Sequence, residues 1–198
     1  VLSGTTKDYF SSREAAKILG VAVSTVQLWT NSGLLTAWTT KGGHRRIARQ
    51  SVNDILSQQR VASVADNTVN DEVPSIVIVE DDEQQRKLYH HHLLAHQLEA
   101  NLVMAKDGYE GLVQIGKVLP SVVITDLVMP KMDGFELIKA LVTIPELDHC
   151  LIIAVTALSL DEVRQKGSLP DRVMVLTKPF SYEQLVFILK EKSAKNIA

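Results

Sequence analysis

Acidic side chains follow two of the short apolar runs in the second part of the chain. Glu80, Asp81 and Asp82 come directly after the run SIVIV, and Asp126 follows a similar run, SVVIT. Carboxylates brought together repel one another, and burying them is costly unless a cation lies among them. Mg²⁺ favours such oxygen ligands and leaves room for a phosphoryl oxygen. The pattern therefore predicts a magnesium site.

Two further polar residues end later runs of the same kind. Thr156 closes CLIIAVT, and Lys178 follows the run VMVL after one intervening residue. A hydroxyl donor and a mobile ammonium group both suit contact with an anion. Beside a metal ion, they would complete a site for a phosphoryl group carried by Asp126. We predict a phosphoacceptor site, and we find no Ser/His/Asp set or glycine-rich nucleotide loop that favours an enzyme.

The spacing of the apolar runs indicates the elements that position these residues. From Ser75 onward, five runs of strand length alternate with five helical patterns. Continuous Val, Ile and Leu runs are typical of parallel strands that are buried on both faces. Ligands of such sheets bind at the carboxyl ends of the strands. We therefore predict an α/β domain with a five-stranded parallel sheet and the polar residues along one edge.

The segments VEDD, TDLVMPKMDG, VTAL and TKPF strongly resemble the receiver domain of bacterial response regulators, over about residues 75–193. The resemblance implies a flavodoxin-like (βα)5 fold in which Asp126 accepts a phosphoryl group from a sensor histidine kinase or a phosphotransfer protein. It also implies a cis Lys178–Pro179 bond, a hydrogen bond from Thr156 to the phosphoryl group and charge neutralisation by Lys178. The implied Mg²⁺ ligands are Asp81, Asp82, Asp126 and the backbone carbonyl of Val128.

One position departs from the family pattern. Val175 lies three residues before Lys178, where responsive receivers carry an aromatic side chain. This departure argues against signal transmission by an aromatic ring at that position. The alternative is a receiver that docks a partner without a phosphorylation switch.

The first part of the chain carries a helix-turn-helix pattern. Ser11 with Glu14 and Ser24 with Gln27 match the capping box, and they predict one helix at about 12–19 and a second that begins at Ser24. A short glycine-containing turn between two such helices is typical of the helix-turn-helix. On the outer face of the second helix we expect four residues that contact DNA: Thr25, Gln27, Leu28 and Asn31.

A basic hairpin, called the wing below, follows the second helix within residues 36–50. Gly42 and Gly43 match a two-residue turn, and Ser51 is placed to begin another helix that runs to about Arg60. Cations crowd the tip and the return strand, where we expect them to contact DNA phosphates. They are Lys41, His44, Arg45 and Arg46.

The strings SSREAAKILGVAVSTVQLWTNSGLL and TTKGGHRRI resemble the winged helix-turn-helix of the MerR and excisionase-like families, over about residues 8–60. The resemblance implies that residues 25–31 enter the major groove and that the wing contacts the DNA backbone. MerR regulators usually dimerise through a long coiled coil, whereas here the third helix is short. We expect a homodimer through the second domain, where LVFIL at 185–189 is apolar on all sides.

Charge and composition both change near residue 60, between the helix-turn-helix pattern and the first strand-like run. The 198 residues are 45% apolar and 22% charged, but residues 1–60 carry a net +5 and the remainder a net −7. Polar residues crowd the segment before Pro74. We predict a DNA-binding domain at 1–60, a linker at 61–74 and a receiver domain at 75–198. Because no apolar run is long enough to cross a bilayer, we expect a cytoplasmic protein without a membrane partner.

Together these patterns predict a two-component response regulator that regulates transcription, in which Mg²⁺-dependent phosphorylation of Asp126 alters receiver association and DNA binding. Double-stranded DNA and a histidine kinase or phosphotransfer protein are the expected partners, with RNA polymerase as an additional candidate. The alternatives are an architectural DNA-binding protein and an adaptor. We expect the histidines at 90–92 and 96 to form a solvated helix face rather than a metal site.

Overall fold

The computed structural model describes residues 8–62 and 73–195. The chain divides into two compact units, Val1–Thr68 and Val69–Ala198. Most of the linker predicted at 61–74 lies outside the described residues, and its first two positions belong to a helix. The predicted domain bounds therefore stay a prediction.

The first unit contains a small sheet and three helices within residues 8–62. The antiparallel strands are ordered β1-β3-β2. Strand β1 has only three residues, and no sequence pattern predicted it. The elements are β1 (Tyr9–Ser11), α1 (Ser12–Leu19), α2 (Val23–Asn31), β2 (Ala37–Thr39), β3 (Arg45–Ala48) and α3 (Arg49–Ala62).

Helix α1 has the bounds that the sequence predicts. The capping box between Ser11 and Glu14 forms, and Gly20 ends the helix in the left-handed conformation at φ 69°. Ala15 and Ala16 are buried, but the apolar side chain of Ile18 is 40% exposed. The buried residues of α1 are therefore Ala15, Ala16 and Leu19.

The start of helix α2 differs from the predicted capping box of Ser24 and Gln27. It begins at Val23 after Ala22, so Ser24 lies inside the first turn and does not cap the helix. The predicted Ser24–Gln27 box is wrong because the N-cap is Ala22, two residues before Ser24. Val26 and Trp29 are fully buried.

The wing turns differently from the predicted two-residue hairpin. The Gly43 N–H donates to the Thr40 carbonyl at 2.9 Å, and the Thr40 N–H donates to the His44 carbonyl at 3.0 Å. The turn is therefore centred on Lys41 and Gly42, and Gly43 takes the left-handed conformation at φ 78°. The predicted helix start at Ser51 is also wrong, since its hydroxyl lies within α3 and donates to the Ala48 carbonyl at 3.0 Å.

Over residues 73–195, five parallel strands alternate with five helices, as predicted. The strand order is β5-β4-β6-β7-β8, and every neighbouring pair is parallel. A short 3-10 turn, Pro145–Leu147, precedes β7. The elements are β4 (Ser75–Val79), α4 (Glu83–Ala95), β5 (Asn101–Ala105), α5 (Gly108–Val118), β6 (Val122–Asp126), α6 (Gly134–Leu141), β7 (Leu151–Thr156), α7 (Leu160–Lys166), β8 (Val173–Thr177) and α8 (Tyr182–Lys195).

The core of the second unit explains the continuous apolar runs. Every residue of β4 is buried, because helices cover both faces of the sheet. Ile78, Ile124 and Ile153 from three neighbouring strands pack with Tyr89 of α4 and Leu185 of α8. Such a core holds the carboxyl ends of β4, β6, β7 and β8 at one edge. In the described part of the chain, no helix has the length and apolar character needed to span a membrane.

Candidate functional site

The carboxyl edge of the sheet brings together acids and a lysine that are far apart in the sequence. The Lys178 ammonium nitrogen, Nζ, lies 2.6 Å from Asp126 Oδ2 and 3.1 Å from Glu80 Oε2. Glu80 follows β4, Asp126 ends β6 and Lys178 follows β8. Parallel strands place these positions on the same edge. One ammonium group is thus shared between two carboxylates.

Burial controls the electrostatics of this cluster. Burial raises the pKa of Glu80, while the hydrogen bond from Lys178 opposes that rise. Burial alone would lower the pKa of Lys178, but its hydrogen bonds to Asp126 and Glu80 outweigh burial and raise the pKa. Lys178 therefore stays charged between the two acidic side chains.

The residues around Asp126 bring hydrogen-bond donors to its second oxygen. The Val128 N–H donates to Asp126 Oδ1 at 2.9 Å, and Val128 itself is half exposed. Thr156 is fully buried, and its hydroxyl oxygen accepts a hydrogen bond from the Leu158 N–H at 3.1 Å. The Thr156 hydroxyl retains its own hydrogen for donation. This edge of the sheet can therefore offer hydrogen bonds and positive charge to an anion on Asp126.

The three acids between β4 and α4, Glu80, Asp81 and Asp82, have different surroundings. Asp82 is the N-cap of α4, where its carboxylate accepts a hydrogen bond from the Gln85 N–H at 2.8 Å. Glu80, which the sequence-based ligand set omitted, is the acid that contacts Lys178. The available sequence signal was its place directly after a fully buried strand.

A second residue that sequence reasoning missed is Arg86, one turn into α4. Its guanidinium donates to the backbone carbonyls of Glu80 at 2.7 Å and Asp81 at 2.9 Å. The two hydrogen bonds fix the path of the acidic loop between β4 and α4. No sequence pattern marks an arginine that binds carbonyls from the following helix.

The donors at this edge match the chemistry of Mg²⁺. Glu80, Asp81 and Asp126 offer only carboxylate oxygens, which are the ligands that a hard divalent cation prefers. Among the described residues, no three acidic, histidine or cysteine side chains are already gathered closely enough to hold a metal ion. The Lys178 ammonium lies between two of the carboxylates instead. The donor set therefore fits a magnesium ion by its chemistry.

The histidines at the end of α4 differ in their exposure to solvent. His90 and His91 are exposed, in keeping with a solvated face. The ring of His92 stacks on Tyr182 of α8 with a centroid distance of 4.1 Å, and His96 Nδ1 lies 3.0 Å from the His92 carbonyl. His92 therefore packs against α8, whereas His96 contacts the end of its own helix.

The outer face of α2 contains only some of the residues predicted to contact DNA. Gln27 and Asn31 are exposed, one helical turn apart. Thr25 and Leu28, at 2% and 3% exposure, are buried. Their predicted exposure is wrong because they lie beside Val26 and Trp29 on the inward face of the helix.

The cations of the wing also divide into two kinds. Lys41 and His44 are exposed at the turn. The Arg45 guanidinium donates from Nη1 to Thr30 Oγ1 at 2.6 Å. The Arg46 guanidinium lies over the Tyr9 ring, 5.2 Å from its centroid. Two of the four predicted DNA-contacting cations thus pack against their own unit.

Family models match both units. The model of the response regulator receiver domain matches residues 76–190, and the model of a helix-turn-helix domain matches residues 9–60. The solved chemotaxis protein CheY4 of Vibrio cholerae has a TM-score of 0.53 and 28% identity, over 60% of this chain and 98% of that chain. These matches agree with the parallel sheet and the helix-turn-helix described above.

Curated relatives share parts of the chain. The probable transcriptional regulator ycf29 of Porphyra purpurea is 33% identical over 90 residues, which are 46% of this chain and 43% of that protein. Hybrid signal transduction histidine kinase D of Dictyostelium discoideum is 33% identical over 85 residues, which are 43% of this chain and 6% of that protein. The chain therefore spans less than half the length of either relative. Because the receiver match covers more than half of this chain, the protein belongs to the response regulator receiver family, and a helix-turn-helix domain precedes the receiver.

Proposed function

We propose that the protein is a two-component response regulator that accepts a phosphoryl group on Asp126 and binds double-stranded DNA through its first unit. The observation that carries the proposal is the position of Lys178 Nζ, within hydrogen-bond distance of both Asp126 and Glu80. A carboxylate nucleophile beside a fixed cation suits transfer of a phosphoryl group. The donor would be a sensor histidine kinase or a phosphotransfer protein, and a DNA-binding regulator would act in the cytoplasm.

The proposed magnesium ligands are the carboxylates of Glu80, Asp81 and Asp126 and the carbonyl of Val128. Glu80 replaces Asp82 of the sequence-based set, because the Asp82 carboxylate caps α4. When bound, Mg²⁺ supplies positive charge that offsets the negative charge of the phosphoryl group.

In the proposed transfer of the phosphoryl group, Asp126, Lys178 and Thr156 each have a distinct role. An oxygen of Asp126 forms a bond to phosphorus, and the bond between phosphorus and the donor histidine nitrogen breaks. The electron pair returns to the donor ring, which takes up a proton. Lys178 neutralises charge on the acyl phosphate, and Thr156 donates its hydroxyl hydrogen to a phosphoryl oxygen.

Intact-mass spectrometry tests the acceptor directly. The full chain is incubated with acetyl phosphate and Mg²⁺, and we expect a species heavier by one phosphoryl group. Asp126→Asn should give no such species, since it lacks the nucleophilic carboxylate. An adduct of equal yield on Asp126→Asn would contradict the assignment of this acceptor.

DNA binding is supported by the exposed residues of α2 and the wing. Gln27 and Asn31 carry amides that can pair with base edges, while Lys41 and His44 lie exposed at the wing turn. Fluorescence anisotropy of the full chain with a labelled mixed-sequence duplex should show binding that weakens steeply with salt. Undetectable binding at low salt would contradict this part of the function.

The proposed output is a change in receiver association that alters how two first units bind DNA. Phe187 of α8 is 66% exposed, and such an apolar side chain suits contact with a second copy. Sedimentation of the chain with and without a beryllofluoride phosphate mimic tests this step. An unchanged oligomeric state and an unchanged DNA affinity would contradict it.

One observation favours a second candidate, a receiver that docks a partner without switching. Val175 of β8 is half-buried at the position where an aromatic ring would move. In that case the Asp126→Asn protein should occupy genomic DNA as the wild type does. Altered occupancy in cells would exclude this candidate.

A further inference from the structure

A chain of hydrogen bonds connects the wing to the last turn of α2. Arg45 of β3 donates from Nη1 to Thr30 Oγ1 at 2.6 Å, and the Thr30 hydroxyl donates to the Gln27 carbonyl at 2.8 Å. The Thr30 oxygen thus accepts one hydrogen bond and donates another. We call Arg45, Thr30 and the Gln27 carbonyl the wing relay.

The wing relay lies beside the exposed residues of α2. Gln27 bears both the carbonyl that ends the relay and an exposed amide side chain, and Asn31 directly follows Thr30. A hydrogen bond from a charged donor is stronger than a neutral one, and this bond is partly buried. It therefore resists rotation or separation of β3 from this turn of the helix.

The surroundings of Arg45 differ from those of a residue that only contacts phosphate. Arg45 is half-buried and its guanidinium binds a side chain of its own unit, whereas Lys41 is exposed at the turn. Lys41 could contact a phosphate without a hydrogen bond to another side chain of its own unit. Arg45 uses part of its donor capacity within the fold.

We propose that Arg45 and Thr30 are positioning residues that hold the wing and α2 as one DNA-binding surface. The proposal rests on the DNA-binding function proposed above. Loss of the relay leaves the number of phosphate contacts unchanged but allows the wing and the amides of Gln27 and Asn31 to adopt several relative positions. DNA affinity therefore falls while its dependence on salt stays the same.

The experiment measures the dissociation constant of the full chain for a labelled mixed-sequence duplex over a series of KCl concentrations. Thr30→Val removes the hydroxyl at nearly constant volume, and we expect about tenfold weaker binding at every salt concentration. Thr30→Ser keeps the hydroxyl and should restore the affinity. Arg45→Ala should show the same loss, and the Thr30→Val/Arg45→Ala double variant should bind no more weakly than either single variant.

Lys41→Ala is the matched control for a phosphate contact. Each lost contact reduces the slope of log affinity against log salt by about 0.9, and we expect that change for Lys41→Ala but not for the relay variants. Thermal melting of each variant and titration of its active fraction separate a loss of affinity from a loss of folded protein.

Two results would overturn the proposal while the wild type still binds DNA. One is wild-type affinity of Thr30→Val, and the other is a reduced salt slope for Arg45→Ala, which would make Arg45 a phosphate contact. Failure of the wild-type chain to bind the duplex would instead overturn the DNA-binding function, and the relay with it.

Discussion

Lys131 and Asp107 join the loop after β6 to the loop after β5. Lys131 Nζ donates to Asp107 Oδ2 at 2.9 Å, and Asp107 also caps α5 by accepting a hydrogen bond from the Glu110 N–H at 2.9 Å. Because the loop after β6 directly follows Asp126, this ion pair braces the segment next to that carboxylate.

The brace makes stability dependent on pH. Burial alone would raise the pKa of Asp107, but its hydrogen bonds from the Glu110 N–H and from Lys131 outweigh burial and lower it. A lowered folded-state pKa adds stability above the unfolded value of about 4, and this stability is lost as pH falls through the folded value. Asp107→Ala should cost about 1 kcal/mol at neutral pH through the lost cap. The cost should shrink below pH 4.

Urea denaturation at neutral and acidic pH measures this difference. Lys131→Met, which keeps the cap and removes the ion pair, is the control and should cost less than Asp107→Ala. Equal losses for Asp107→Ala at both pH values would show that the charge of Asp107 does not contribute.

Substitutions of Glu80 and Asp82 should differ in their effects on Mg²⁺ affinity. Glu80→Gln removes a charge from the cluster that contacts Lys178, so we expect Mg²⁺ affinity and the yield of phosphorylated protein to fall by about tenfold or more. Asp82→Asn keeps an oxygen that can cap α4 and should retain both properties. Calorimetric Mg²⁺ titration of the two variants is the measurement. Loss of Mg²⁺ binding only in Asp82→Asn would restore the ligand set predicted from sequence.

These two acids also show how far sequence reasoning extends. Continuous apolar runs predict buried parallel strands because both faces of such strands must pack, and the position of Asp126 after one of them predicts the edge of the sheet. The run of acids by itself does not tell which side chain faces inward, and the only signal is the place of Glu80 directly after a buried strand. That depends on how the chain leaves β4 and enters α4, where Asp82 caps the helix.

The first unit shows the same limit. The residues of α2 predicted to be exposed included Thr25 and Leu28, which the fold buries. Their inward direction follows from tertiary packing, because α2 is apolar on more than one side. The capping box of Ser11 and Glu14 was predictable because both partners lie within a single turn.

Arg86 should raise the affinity for Mg²⁺ without contacting the ion. Arg86→Ala removes two hydrogen bonds to the carbonyls of Glu80 and Asp81, so the acidic loop loses its fixed path. Residues that support metal ligands from behind typically contribute tenfold or more to affinity, and we expect about tenfold weaker Mg²⁺ binding. Lys87→Ala is the control, because Lys87 pairs with Glu83 on the exposed surface of the same helix. Equal effects of the two substitutions would point to a general effect of charge.

Gly134 should tolerate no side chain, because the backbone of Asp126 lies against it. A Cβ at this position would lie 2.1 Å from the Asp126 carbonyl oxygen and 2.7 Å from the Leu127 Cα, so the acceptor strand itself would have to move. Overpacking usually costs about 1–3 kcal/mol, and a clash with backbone belongs at or above the upper end. Gly134→Ala should therefore lower both the urea midpoint and the rate of phosphorylation by acetyl phosphate.

Gly167→Ala is the matched control for that substitution. A Cβ there meets a Phe135 ring atom at 3.6 Å, an ordinary contact, and the backbone at φ 167° is extended. We expect its stability and phosphorylation rate to stay near those of the wild type. If both alanine variants behaved alike, close packing of Gly134 against the β6 end would not be what holds Asp126 in place.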